Sequence, residues 1–163
     1  MTKRISGYLN GLSAESASAE LGRCCGASSW VGGMMAARPF DDDTTVFETA
    51  GQIWRSLAPD DWREAFEKHP RIGDRAEEKW SRQEQAGVDG ASDVIQRELA
   101  EGNRKYEERF GHVFLICATG LTAHVMLSEL KRRLRNEPER ELEIAAAEQG
   151  KITRLRLEKL AAP

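Results

Sequence analysis

The chain has 163 residues, with 24 Lys and Arg against 27 Asp and Glu, a net charge of −3 at pH 7 and a pI near 5.7. That length fits one domain able to enclose a core without disulfides or metals, and the charge balance supplies no positive field of the kind nucleic acid requires. The longest apolar stretches, VFLICA from Val113 and IAAA from Ile144, fall far short of the ~20 residues of a membrane span, so neither nucleic acid nor membrane is an expected partner.

The amino terminus, MTKRISGYLNGLSAESA, has two early basic residues but no continuous apolar core ahead of a cleavage site. It does not read as a secretory signal, and a cytoplasmic location is expected. Cys24 and Cys25 are adjacent and Cys117 is distant; an odd count with two neighbours that rarely bridge predicts free, buried thiols.

Helix formers dominate, so helical periodicity is tried first. LNGLSAESASAELGRCC predicts a helix from about Ser13 to Cys25, then a turn at Gly26 and a short helix from Trp30 to Ala37 that Pro39 stops. Asp41, Asp42 and Asp43 cap a helix from Thr44 to Ser56; Pro59 and Asp60 start another from Asp61 to Lys68, which Pro70 closes. Between His69 and Asp93, Gly73, Gly87 and Gly90 among charged residues predict a polar loop broken by a short helix from Lys79 to Ala86. Ser92 or Asp93 caps the next helix, whose Ile95, Leu99, Asn103, Tyr106 and Phe110 share one face. Ala123, Leu127, Leu130 and Leu134 mark another, with Lys131, Arg132, Arg133 and Arg135 at its carboxyl end where cations suit the dipole. Asn136 ends that helix. Pro138 opens the last one, with capping-box spacing from Asn136 to Glu139, through Ile144, Ala145, Ile152 and Leu155 to about Leu160. With no repeat or composition break, the expected fold is all-α, a single-domain bundle of about seven to nine helices over residues 1–163.

Generic motifs give little: there is no GxGxxG, phosphate loop, HExxH, CxxC or GxSxG. None of His69, His112 and His124 has a histidine or cysteine at metal-ligand spacing on its own helix, so neither a metal nor a cofactor is expected. His69 differs in its setting. It precedes a proline, which disfavours helical geometry at His69 and puts the ring at a helix end, facing a polar glycine-bearing loop. On the residues alone, HPRIGD reads as a helix stop and a turn.

Four segments occur in one order: EAFEKHPRIGD, WSRQEQAG from Trp80, NRKYEERFGHVFLICATG from Asn103, and RLRNEPERELEIAAAEQGKITRLRL ending at Leu157. Together with CCGASSWVGGMMAARPF from Cys24, they resemble the family of 2-oxo-4-hydroxy-4-carboxy-5-ureidoimidazoline (OHCU) decarboxylases, over nearly the whole chain. The resemblance implies a cofactor-free lyase that makes S-allantoin in urate breakdown, acts on a small ureidoimidazoline and works as a homodimer. It implies that His69 is the catalytic proton donor and that Pro70 contacts substrate through its backbone. Ser81 and Glu84 would be the polar site pair, within a substrate-binding run of Ser81, Arg82, Gln83, Glu84 and Gln85. The main chain of Phe114, Leu115, Ile116, Cys117 and Ala118 would line the pocket, and Arg156 would receive an anionic or carbonyl group. His69 and Glu84 are expected to work as one acid/base unit, since histidine exchanges a proton near neutral pH and a carboxylate can orient it. On position alone, the favoured readings are bland: Glu84 as a solvated helix residue and Arg156 as one more cation beside Arg154 and Lys159. A non-catalytic helical module with a purine-like pocket remains the alternative.

Overall fold

Ser13, Asp42, Ser92 and Thr122 each stand one residue ahead of a helix, and each side chain accepts a hydrogen bond from a backbone N–H three residues on. These caps satisfy N–H groups that a helix start otherwise leaves without partners, so they fix where helices begin. The computed structural model describes residues 2–74 and 79–161. Among them are nine α-helices, one short 3-10 turn and no strand, the all-α class expected from the sequence. The helices are α1 (Arg4–Gly11), α2 (Ala14–Cys24), α3 (Ser28–Ala37), α4 (Asp43–Ser56), α5 (Pro59–Phe66), α6 (Lys79–Glu84), α7 (Asp93–Phe110), α8 (Ala123–Arg133) and α9 (Pro138–Lys159), with the 3-10 turn at Ala86–Val88. Residues 75–78 of the expected polar loop lie outside the described residues. No helix among those described is long and apolar enough to cross a membrane.

The chain divides into two compact units, Met1–Ala65 with Gly150–Pro163, and Phe66–Gln149. In the first, α1 is a helix the sequence did not announce. It has no side-chain cap of its own at Lys3. The N–H groups of Ile5 and Ser6 donate instead to Asp43 Oδ1, at 3.0 and 2.8 Å. Asp42 caps α4 locally, so two of the three consecutive aspartates serve different helices. Trp30 on α3 donates its indole N–H to Ala50 O of α4 at 3.1 Å, and Glu64 of α5 accepts from both the N–H and the hydroxyl of Ser28 at the start of α3.

In the second unit, the face of α7 picked out by periodicity is the buried one, with Leu99, Asn103 and Tyr106 inside. It packs on Met126, Leu127 and Leu130 of α8, and the irregular segment 113–118 adds Phe114 and Ile116 to the same core. Gly87 lies where a Cβ would come within 1.9 Å of Leu121 O, so the backbone approach there requires glycine.

Arg133 lies in the last turn of α8, as expected, but its side chain is turned inward: it is 1% exposed and donates through Nε and Nη2 to Glu141 Oε2, at 2.9 and 2.6 Å, and through Nη1 to Leu115 O. Glu141, fully buried, also accepts from the Tyr106 hydroxyl. Burying a guanidinium is tolerable because the carboxylate and the carbonyl compensate it. The Asn136 amide joins the same cluster, donating to Glu141 Oε1 at 3.0 Å.

Candidate active site

His69 follows α5 in a turn closed by its own N–H donating to Phe66 O at 3.1 Å, and Pro70 prevents the helix from resuming. The imidazole is half-buried, and its Nε2 lies 2.6 Å from Oε1 of Gln149, a fully buried residue of α9. An amide oxygen carries no proton, so the hydrogen in this contact resides on Nε2.

The loop after His69 is clamped by α7 and by Gln85, the residue that follows α6. Asn103 of α7 donates its amide to Ile72 O at 2.7 Å, in a buried setting. Arg71 makes a two-pronged contact with Glu107 of α7, at 2.7 and 2.9 Å. Gly73, with φ +95, takes a left-handed turn that favours glycine, and its N–H donates to Gln85 Oε1 at 3.1 Å. HPRIG is therefore a rigid platform, which a positioned proton donor requires.

On α6, three-residue spacing puts Ser81 and Glu84 on one face, and both are buried. Arg82 and Gln83 point outward and are exposed, while half-buried Gln85 is tied to Gly73. The predicted run 81–85 thus splits into inward and outward residues. In the 114–118 segment, Phe114, Leu115, Ile116 and Ala118 are buried and Cys117 half-buried. Two of its main-chain groups are engaged by the protein: Leu115 O by Arg133, and the Cys117 N–H by Glu148 Oε1 at 3.0 Å. Glu148 and Gln149, adjacent on α9, therefore hold the 114–118 segment and His69 respectively.

Arg156 belongs to the other compact unit, where it is almost buried and donates to Arg23 O, near the carboxyl end of α2, at 3.0 Å. Cys24 and Cys25 follow Arg23. Burial pushes the Cys24 thiol up to about 12 and the Cys25 thiol up to about 11, and the opposing pull of Arg156 does not prevent it. Both stay protonated at neutral pH and are poor nucleophiles. None of Cys24, Cys25 and Cys117 is in a disulfide. Among the described residues no group of three His, Cys, Asp or Glu could hold a metal ion.

Gln149 and Glu148 were missed from the sequence. A signal existed for Gln149: it stands four residues after Ala145 and three before Ile152, a polar side chain on the apolar stripe of α9. Asn103 occupies the same kind of place on α7, and both turn out to hold the His69 segment.

The family model for OHCU decarboxylase matches residues 10–158. The chain is 42% identical over 147 residues to the uric acid degradation bifunctional protein TTL of Arabidopsis thaliana, covering 84% of this chain and 45% of that one. It is 30% identical to the 2-oxo-4-hydroxy-4-carboxy-5-ureidoimidazoline decarboxylase of Amia calva, covering 81% of this chain and 77% of that one. A crystal structure of an OHCU decarboxylase in the presence of (S)-allantoin superposes with a TM-score of 0.80 at 39% identity, covering 88% of this chain and 98% of that one. The chain spans only 31% to 45% of the length of the bifunctional relatives it matches. By the extent of the family match and the identity to these relatives, the chain belongs to the OHCU decarboxylase family.

Proposed function

We propose that this chain decarboxylates 2-oxo-4-hydroxy-4-carboxy-5-ureidoimidazoline to S-allantoin in urate degradation, without a cofactor. The observation that carries the reading is the likeness to the solved decarboxylase, 98% of whose chain is matched at 39% identity. The family match crosses both compact units and supports treating residues 1–163 as one decarboxylase-like domain.

Loss of carbon dioxide leaves an electron pair that must be delocalised, and this substrate supplies its own sink. The pair of the breaking C–C bond forms a double bond to the adjacent ring carbon that bears the ureido group, and the C=N pair of that carbon moves onto the ring nitrogen, which takes up a proton. A second proton is delivered to the ureido-bearing carbon, and the hydroxyl of the former carboxylated carbon loses its proton to become a carbonyl. The carboxylate substrate thus takes up one proton net for each carbon dioxide released. His69 is assigned the proton, on a rigid turn next to Pro70, whose backbone contacts substrate. Glu84, a buried carboxyl, is its acid/base partner, and Ser81 binds substrate from the same face of α6; Arg82, Gln83 and Gln85 complete the family's binding run. The main chain of 114–118 lines the pocket, and Arg156 holds an anionic or carbonyl group with its planar fork.

We further propose a homodimer in the cytoplasm; three cysteines outside any disulfide suit a reducing compartment. Light scattering on the purified chain reads the dimer directly, and a monomer at working concentration removes it. The reaction itself is tested with freshly generated substrate: faster carbon dioxide release with one proton taken up per turnover is expected, whereas tight allantoin binding without turnover would favour a non-catalytic module.

A further inference from the structure

We propose that Gln149 is a positioning residue for His69: it holds the imidazole by Nε2 and so makes Nδ1 the nitrogen that passes the proton to substrate. This inference rests on the reaction proposed above. A primary amide neither ionises nor relays a proton near neutral pH, so an Nε2–H held on Gln149 Oε1 at 2.6 Å cannot be exchanged without breaking that bond. Both ends of the bond are fixed by the fold. Gln149 is fully buried, and its neighbour Glu148 is bound to the Cys117 N–H at 3.0 Å, which registers that turn of α9 against the 114–118 segment. On the other side, His69 is held by its N–H to Phe66 O, and the loop beyond it by Asn103 on Ile72 O.

The neutrality of glutamine matters. A carboxylate in its place would compete for the proton, whereas an amide oxygen only orients the ring. In the charged ring both nitrogens carry hydrogen: Nε2–H stays on Gln149 and Nδ1–H is delivered. The neutral ring left behind is the Nε2–H tautomer, so the same contact persists through the cycle and no ring flip is required.

The test uses the full chain and 15N-resolved NMR of the imidazole nitrogens. The chain has three histidines, and the His69 signals are identified by their loss in His69→Asn. The neutral wild-type ring is expected as the Nε2–H tautomer. Gln149→Met, close in shape but without an acceptor, is expected to shift the ring toward Nδ1–H and to lower kcat about 10- to 100-fold with KM and thermal midpoint nearly unchanged. Gln149→Glu, which restores an acceptor, returns the Nε2–H ring. An Nδ1–H tautomer in the wild type overturns the proposal, and so does a folded Gln149→Met variant with full kcat. The wild-type tautomer decides even where a variant fails to fold. A wild-type chain that shows the Nε2–H ring but leaves the substrate unturned overturns the proposed reaction and not the Gln149 contact.

Discussion

The His69 ring is half-buried at a turn, so shortening it to Ala removes the proposed proton donor without hollowing the core. His69→Ala is expected to lose about 10²- to 10⁴-fold in decarboxylation while its helical circular dichroism is unchanged; full activity in that variant would take His69 out of the chemistry. Arg156 reads differently, because its guanidinium already donates to Arg23 O. Arg156→Lys keeps the charge and loses the planar fork, so KM is expected to rise well before kcat falls, which steady-state kinetics separates. The position of His69 was legible because a proline follows it. Its partner was not, since Gln149 is 80 positions away and a local pattern carries no information on such a pairing. The most a sequence offers is a polar residue on an apolar stripe, as at Asn103 and Gln149.

Elements whose caps are local were readable to within a residue or two, as at Ser13, Asp42 and Ser92. Helix α1 was not, because its cap comes from Asp43, 37 and 38 positions away from the N–H groups it serves. Asp43→Ala is therefore expected to destabilise the chain by about 1 to 2 kcal/mol in chemical denaturation, although it lies outside α1. Burial alone would raise the Asp43 carboxyl, but hydrogen bonds from Ser6, Thr2 and Ile5 outweigh it and hold the group below its ordinary 3.8. A folded value below the unfolded one means that this stabilisation is complete above the ordinary value and is lost as pH falls through the lower folded value. Acid titration of stability in wild type and Asp43→Asn should diverge above that range and converge below it. The Arg133 and Glu141 pair was hidden for a related reason: a basic run at a helix end is accounted for by the dipole, and only the fold reveals that one member turns inward. Glu141→Gln leaves a buried guanidinium uncompensated and is expected to cost about 3 to 5 kcal/mol, read from the shift of the denaturation midpoint.

Across the whole chain, the all-α class followed from periodicity and caps, whereas membership in the decarboxylase family came from long ordered words such as HPRIGD and SRQEQAG, which no periodicity supplies. Two glycines in those words have a backbone reason. The glycine of EQAG sits against Leu121 O, and the glycine of HPRIG turns left-handed to meet Gln85. Thiol chemistry offers a global check on packing. With Cys24 and Cys25 buried and their thiols pushed up, alkylation of both in the native chain at neutral pH should be far slower than in the unfolded chain, as mass spectrometry can count. The proposed reaction is tested most directly by the handedness of its product. Urate is supplied with urate oxidase and hydroxyisourate hydrolase, and optical activity is followed with and without this chain. S-allantoin forming faster than the spontaneous rate is the predicted result; racemic allantoin at the spontaneous rate would contradict it.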